Sequence, residues 1–194
     1  MGLHLNKTGT RALGVAESFR KGRPNSTLAG VVMRRDLIID GLALGRTSVG
    51  GDDATSSIAS LYRRFRRNDI NVMLVSGAIL SLYNILDPDE LFSKTRVPVV
   101  CLTFSETSGI EASIRRHFPD SFKEKMRAYG ALGPRKRVRL STGGVVYARP
   151  AGIDLKTTKS ILDAFTLQGS VPEPIKVARL LARASSSKAA SRRD

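Results

Sequence analysis

The apolar positions of this chain fall into short runs with two different periods. Residues 11–19 (RALGVAESF), 26–34 (STLAGVVMR) and 36–49 (DLIIDGLALGRTSV) are rich in Val, Ile and Leu. Turn formers separate them: Gly22, Pro24 and Asn25, then the polar Arg34, Arg35 and Asp36. Three strands are predicted, and connections this short favour an antiparallel meander. The period changes in GGDDATSSIASLYRRFRRN, where Ile58, Leu61, Tyr62 and Phe65 recur at the spacing of one helical face and Asp52 or Asp53 can cap the start. INVMLVSG (70–77) and VPVVCLTF (97–104) are nearly unbroken apolar runs, as in central parallel strands covered on both faces. Between them AILSLYNIL (78–86) and DPDELFSKTR read as helical, the second opening with Asp87 before Pro88.

Strands that alternate with helices call for crossover connections and parallel pairing. Further along, helices are predicted at 107–118 and 120–131, then a hairpin in RVRLSTGGVVYAR turning at Gly143-Gly144, then helices at 154–167 and 173–184. The fold class is therefore α/β: a mixed sheet of three antiparallel strands followed by parallel strands with crossover helices, plus a C-terminal hairpin and helices. One domain over 11–184 is expected, with flexible tails at 1–10 and 185–194 and no internal repeat.

Composition alters this picture mainly through charge. The 194 residues carry 32 Lys and Arg against 17 Asp and Glu, a net charge of +15. A pI near 10.7 keeps that excess at any cellular pH. Ion-pair networks on a heat-adapted surface need both signs, so the one-sided excess points to a polyanionic partner. A membrane is the weaker candidate, because no run approaches ~20 apolar residues and MGLHLNKTGTRALG lacks the apolar core of a signal peptide. A cytoplasmic protein is expected. Cys101 is the only cysteine, which excludes an internal disulfide and suggests a small core residue.

The basic residues gather in three places. Arg63, Arg64, Arg66 and Arg67 lie at the polar side or end of the first helix. Arg135, Lys136, Arg137 and Arg139 sit at the entry to the hairpin. Lys176, Arg179 and Arg183 continue towards Lys188, Arg192 and Arg193. Each phosphate such groups neutralise releases counterions, and arginine can hold phosphate oxygens bidentately. Tyr129 and Tyr147 are candidate stacking platforms for bases. Catalysis on phosphodiesters would need acidic side chains converging on divalent ions. Glu17 at the end of the first strand and the pair Asp52 and Asp53 are the candidate catalytic residues. Asp52 and Asp53 are the candidate metal ligands, with Asp40 or Asp87 in reserve, and Ser76 stands where a third ligand would be expected. Helix capping competes for Asp52 and Asp53. His4 and His117 form no metal pair, and no phosphate loop or cysteine cluster is present.

GVAESF, RRDLIIDG, SVGGDDAT, NVMLVSGAI followed by YNILD, VPVV and FTLQGSVPEPIKVARLLARA together resemble an archaeal family of endonuclease V-like proteins known as domain of unknown function ninety-nine. The resemblance runs over about residues 11 to 184. It implies a ribonuclease H-like fold and a part in DNA repair. It also implies a metal-binding Asp on strand one where this chain has Ala16, and a second on strand four where it has Ser76. Only Asp52-Asp53 matches the family's second acidic position, and Glu17, one residue after Ala16, points to the opposite face. Near the end, Pro172-Glu173-Pro174 is followed by Lys176 and Arg179 where the related proteins carry an Arg and a His.

Three functions follow as expectations. The first is a nucleic-acid-binding protein, taking DNA or RNA, with a degenerate metal site and no cofactor needed for binding. The second is an active endonuclease on deaminated or structured DNA or RNA that uses Mg or Mn. The third is a basic interaction subunit of a ribonucleoprotein or protein complex.

Overall fold

The computed structural model of the chain describes residues 9–20, 22–105 and 110–188. The expected meander forms as β1 (Arg11–Ser18), β2 (Asn25–Arg34) and β3 (Ile39–Ser48), each antiparallel to the next. Helix α1 (Ala54–Arg63) then crosses to β4 (Val72–Ser76), which lies parallel to β1. After a small hairpin, β5 (Ile79–Leu80) and β6 (Asn84–Ile85), helix α2 (Pro88–Thr95) leads to β7 (Val99–Thr103), parallel to β4. The rest comprises α3 (Glu111–His117), α4 (Phe122–Ala131), β8 (Lys136–Arg139), β9 (Val145–Ala151), α5 (Leu155–Ala164) and α6 (Glu173–Lys188). The main sheet has seven strands in the order β3-β2-β1-β4-β7-β9-β8, the last two antiparallel to their neighbours.

Strand alternation sorts the core into two sides. Leu13, Val15, Met73 and Val75 pack with Ile58 and Leu61 of α1 and Leu91 of α2. Ala12, Val72 and Leu74 pack with Ile161, Leu162 and Phe165 around α5 and with Ile175 of α6. Both faces of β1 and β4 are thus covered, which is why their sequences are apolar without a break. Cys101 is buried among the first set, and burial pushes its thiol up to about 12. Asp87 caps α2 as its sequence suggests, accepting from the amides of Asp89 and Glu90. Among the described residues no helix is long and apolar enough to cross a membrane.

Two elements differ from expectation. Residues 78–86 form no helix: Ser81, Leu82 and Tyr83 take positive φ values of 33°, 58° and 63°, and β5 and β6 pair across them. Ala78, Leu80 and Leu86 reach the core from this turn, and the buried Asn84 side chain bonds the end of β3 and the start of α1. Tertiary burial has overridden local propensity. The other difference is that α6 runs to Lys188, past the expected end at 184. Of the helix expected at 107–118, residues 107–109 lie outside the described residues, as do His4, Arg192, Arg193 and the Lys188 side chain.

Helix α6 lies directly on β1. A Cβ built on Gly14 would stand 2.3 Å from the carbonyl carbon of Pro174, so only hydrogen fits there. Gly14→Ala must push the start of α6 off the sheet, at a cost of about 3 kcal/mol, read as a fall of roughly 6–12 °C in thermal midpoint.

Candidate nucleic-acid interface

At the C-terminal end of β1 the parallel register sets Gly14 beside Leu74 and Val15 beside Val75, so Ala16 comes next to Ser76. Both belong to the face covered by α6, where buried Ala16 and Val31 pack against Ala178. One residue after Ala178, Arg179 brings its guanidinium to Ser76: Nη2 and Nε donate to Oγ at 2.8 and 3.2 Å. The same guanidinium stacks over the Phe104 ring at 4.6 Å. Burial, and then the nearby Arg183, pull the Arg179 pKa down, but a guanidinium stays charged at any cellular pH. No carboxylate pairs with it among the described residues. The crevice at the ends of β1 and β4 therefore carries a fixed, partly desolvated positive charge.

The candidate carboxylates lie elsewhere. Glu17 points to the α1 face, as alternation requires, and accepts from the Ser81 amide at 2.8 Å and from the Ser81 hydroxyl, which also meets that of Ser26. Asp53 accepts from Thr47 Oγ1 at 2.9 Å, the Ser48 amide at 3.0 Å, Ser57 Oγ at 3.0 Å and Asn84 Nδ2 at 2.6 Å. Burial by itself would raise its pKa, but the bonds from Asn84, Ser48, Thr47 and Ser57 outweigh it and hold the carboxyl below the usual range. The cap on α1 is supplied instead by Asn84, whose Oδ1 accepts from the Ala54 amide at 2.9 Å. Asp52 is 85% exposed and meets the ammonium of Lys125, itself only 3% exposed. Lys125 also donates to the carbonyls of Gly51 and Tyr83 and lies over the Phe118 ring.

These groups converge on the left-handed turn at 81–83. Glu17 holds its first residue, the Gly50 amide donates to the Ser81 carbonyl at 2.7 Å, Lys125 holds Tyr83, and Asp53 grips Asn84 just beyond. Of the reserve carboxylates, Asp40 is held by Arg11 and Arg67, whose bonds keep its pKa low, and Asp87 caps α2. Among the described residues no three His, Cys, Asp or Glu side chains are grouped to hold a metal ion. Among the described residues the carboxylates do not form the divalent-metal site that the sequence resemblance implies. Sequence reading missed Ser81, Asn84 and Lys125. Lys125 in particular sits in FKEKMRAYGA, a segment with little apolar signal to mark its buried face.

The three basic clusters are distributed over the molecule. Arg63, Arg64 and Arg66 are exposed, but Arg67 is committed to Asp40 at 2.9 Å and to Asp69, beside Arg11 at the start of β1. That is the opposite end of β1 from Ser76, about 17 Å away along the strand from Arg11 to the level of Ala16. Lys136, Arg137 and Arg139 are exposed on edge strand β8, with Arg135 over the Tyr147 ring at 5.6 Å. Tyr129 is half-buried in α4. In α6, Lys176 pairs with Glu173, while Arg179 and the exposed Arg183 flank the crevice. The α6 cluster touches Ser76 directly, and register sets Lys136 of the hairpin cluster in the same cross-strand row, through Leu102 and Ala148.

A family model described as endonuclease dU matches residues 8–186. A UPF0215 protein of Pyrobaculum aerophilum is 32% identical over 173 residues, 89% of this chain and 92% of the relative. One from Thermoplasma volcanium is 32% identical over 183 residues, covering 92% and 91%. Among solved structures, an Archaeoglobus fulgidus protein superimposes with a TM-score of 0.78 at 22% identity, over 90% of this chain and 97% of that one. Human endonuclease V gives 0.65 at 16% identity, over 93% and 86%. Endonuclease V of Ciona intestinalis, in complex with a 24mer DNA containing inosine, gives 0.60 at 13% identity, over 92% and 86%. The sheet order, the helices on both its faces and these matches together place the chain in the endonuclease dU family, on the ribonuclease H-like fold that endonuclease V shares.

Proposed function

We propose that this protein binds a polynucleotide in the crevice at the ends of β1 and β4 through Arg179 and Arg183, without a divalent metal. The observation that carries the reading is the Arg179 guanidinium, bonded to Ser76 and stacked on Phe104, at the place where the resemblance to endonuclease V implies a metal-binding carboxylate. A cation fixed to the chain meets a backbone phosphate without first recruiting an ion, and its planar fork suits two phosphate oxygens at once. The family's description makes DNA containing deoxyuridine, the deamination product of deoxycytidine, the first substrate to try. The net charge of +15 supports electrostatic capture.

Titration of fluorescent uracil-containing DNA against salt should give an affinity that falls steeply as salt rises and is unchanged by a chelator. Arg179→Met should weaken it about tenfold and reduce the salt slope by about one, with Arg179→Lys in between. A wild-type affinity indifferent to salt would overturn the reading.

The family's description also favours a second reading, a Mg- or Mn-dependent endonuclease acting on deaminated DNA through Glu17, Asp52 and Asp53. The bonds that already occupy Glu17 and Asp53 set it second. Nicking of uracil- or inosine-containing DNA that needs metal and is abolished by Asp53→Ala in a folded protein would establish it. On the first reading Asp53 is a structural anchor. Because its folded pKa is depressed, its stabilisation is fully present above the unfolded value near 3.8 and is lost as pH falls through the lower folded value. Asp53→Ala should therefore cost about 3 kcal/mol at pH 7, with or without Mg. The gap from wild type should narrow as pH falls below about 4, as followed by denaturant melts across pH.

A further inference from the structure

Where β1 turns into β2, three side chains from neighbouring strands form a row. Ser18 pairs with Thr27 and Thr27 with Arg46, so all three share one face, the face covered by α6. Ser186, near the end of α6, helps to close a cleft of about 190 Å³ with them, and Arg20 and Arg23 from the turn complete its wall. Among the described residues no acidic side chain lines it. Among the described residues Arg20, Arg23 and Arg46 form no ion pair, whereas Arg11, Arg34 and Arg67 each hold a carboxylate. Three guanidinium groups without a carboxylate partner thus surround the Ser18 and Thr27 hydroxyls in one concavity, while the Ser186 hydroxyl donates to the Ala182 carbonyl at 2.8 Å. Like charges so arranged repel until an anion enters, and forked donors with hydroxyls match tetrahedral oxyanions. The volume falls below the ~300–1,000 Å³ usual for whole organic ligands, and suits a single phosphoryl group.

Helix α6 links this cleft to the crevice. Arg179 and Ser186 are seven residues apart on it, which is about 10 Å along the axis at ~1.5 Å per residue. At ~3.4 Å of axial rise per nucleotide, that spans roughly three steps of one strand. We propose that the cleft is a second phosphate site, holding one backbone phosphate of a strand that meets Arg179 about three nucleotides further along. It rests on the nucleic-acid reading above. Contacts of this type fix register along the strand and carry no base preference.

The test is a salt titration of a fluorescent single-stranded DNA 12mer with the full chain, its Arg20→Gln/Arg46→Gln variant and Arg179→Met. Arg20 and Arg46 are exposed, so their replacement should leave the thermal midpoint in place. Arg46→Glu serves as a single charge reversal should the double variant melt early. The site predicts about a tenfold loss for the double variant, a salt slope lower by one to two, and the same loss on every sequence tried. Wild-type affinity and slope in both cleft variants, with Arg179→Met still weakened, would overturn the cleft and leave the crevice standing. A wild-type protein that binds no 12mer at low salt would overturn both.

Discussion

The absence of a side chain at position 14 governs this architecture. Because β1 presents only a hydrogen there, the start of α6 can rest against strand backbone, with Pro174 closer than any methyl group would allow. That seating fixes where every later residue of α6 falls. Ala178 comes down on Ala16, Arg179 reaches the end of β4, and Ser186 arrives over the β1–β2 turn. A bulkier residue at 14 or 16 would lift the helix and separate its arginine from Ser76. Small residues on β1 and the cationic crevice are therefore parts of one packing arrangement.

Much of this was legible from residue pattern. The meander, the two apolar parallel strands, the hairpin and the Asp87 cap all rest on local signals, namely period, turn formers and cap chemistry. Alternation along β1 also separated Glu17 from the face of Ala16. The turn at 78–86 was illegible because its apolar spacing suits a helix, while its conformation depends on partners 30 to 70 residues away, including Glu17, Asp53 and Lys125. No local rule makes Ser81, Leu82 and Tyr83 left-handed. Each is a strained position that persists because several bonds hold it.

The charge was read correctly in total and less well in place. Runs such as RRFRR draw the eye, yet Arg67 at the end of that run neutralises Asp40 and Asp69 far from the crevice. Arg20 and Arg23 sit in the short stretch RKGR, and only strand register brings Arg46 to them. Linear clustering finds helix faces and loops, whereas a sheet assembles its surfaces from residues remote in sequence.

The seat of Arg179 on Ser76 separates two tasks that a bound divalent ion performs together. An ion both neutralises oxygens and offers an open position to a water molecule. A guanidinium has only N–H donors and no vacant coordination site, so it can grip but cannot ligate. Being covalently tethered, it also cannot be stripped away by competitors for free magnesium. On the proposed reading, the grip at this site follows ionic strength and is indifferent to free magnesium.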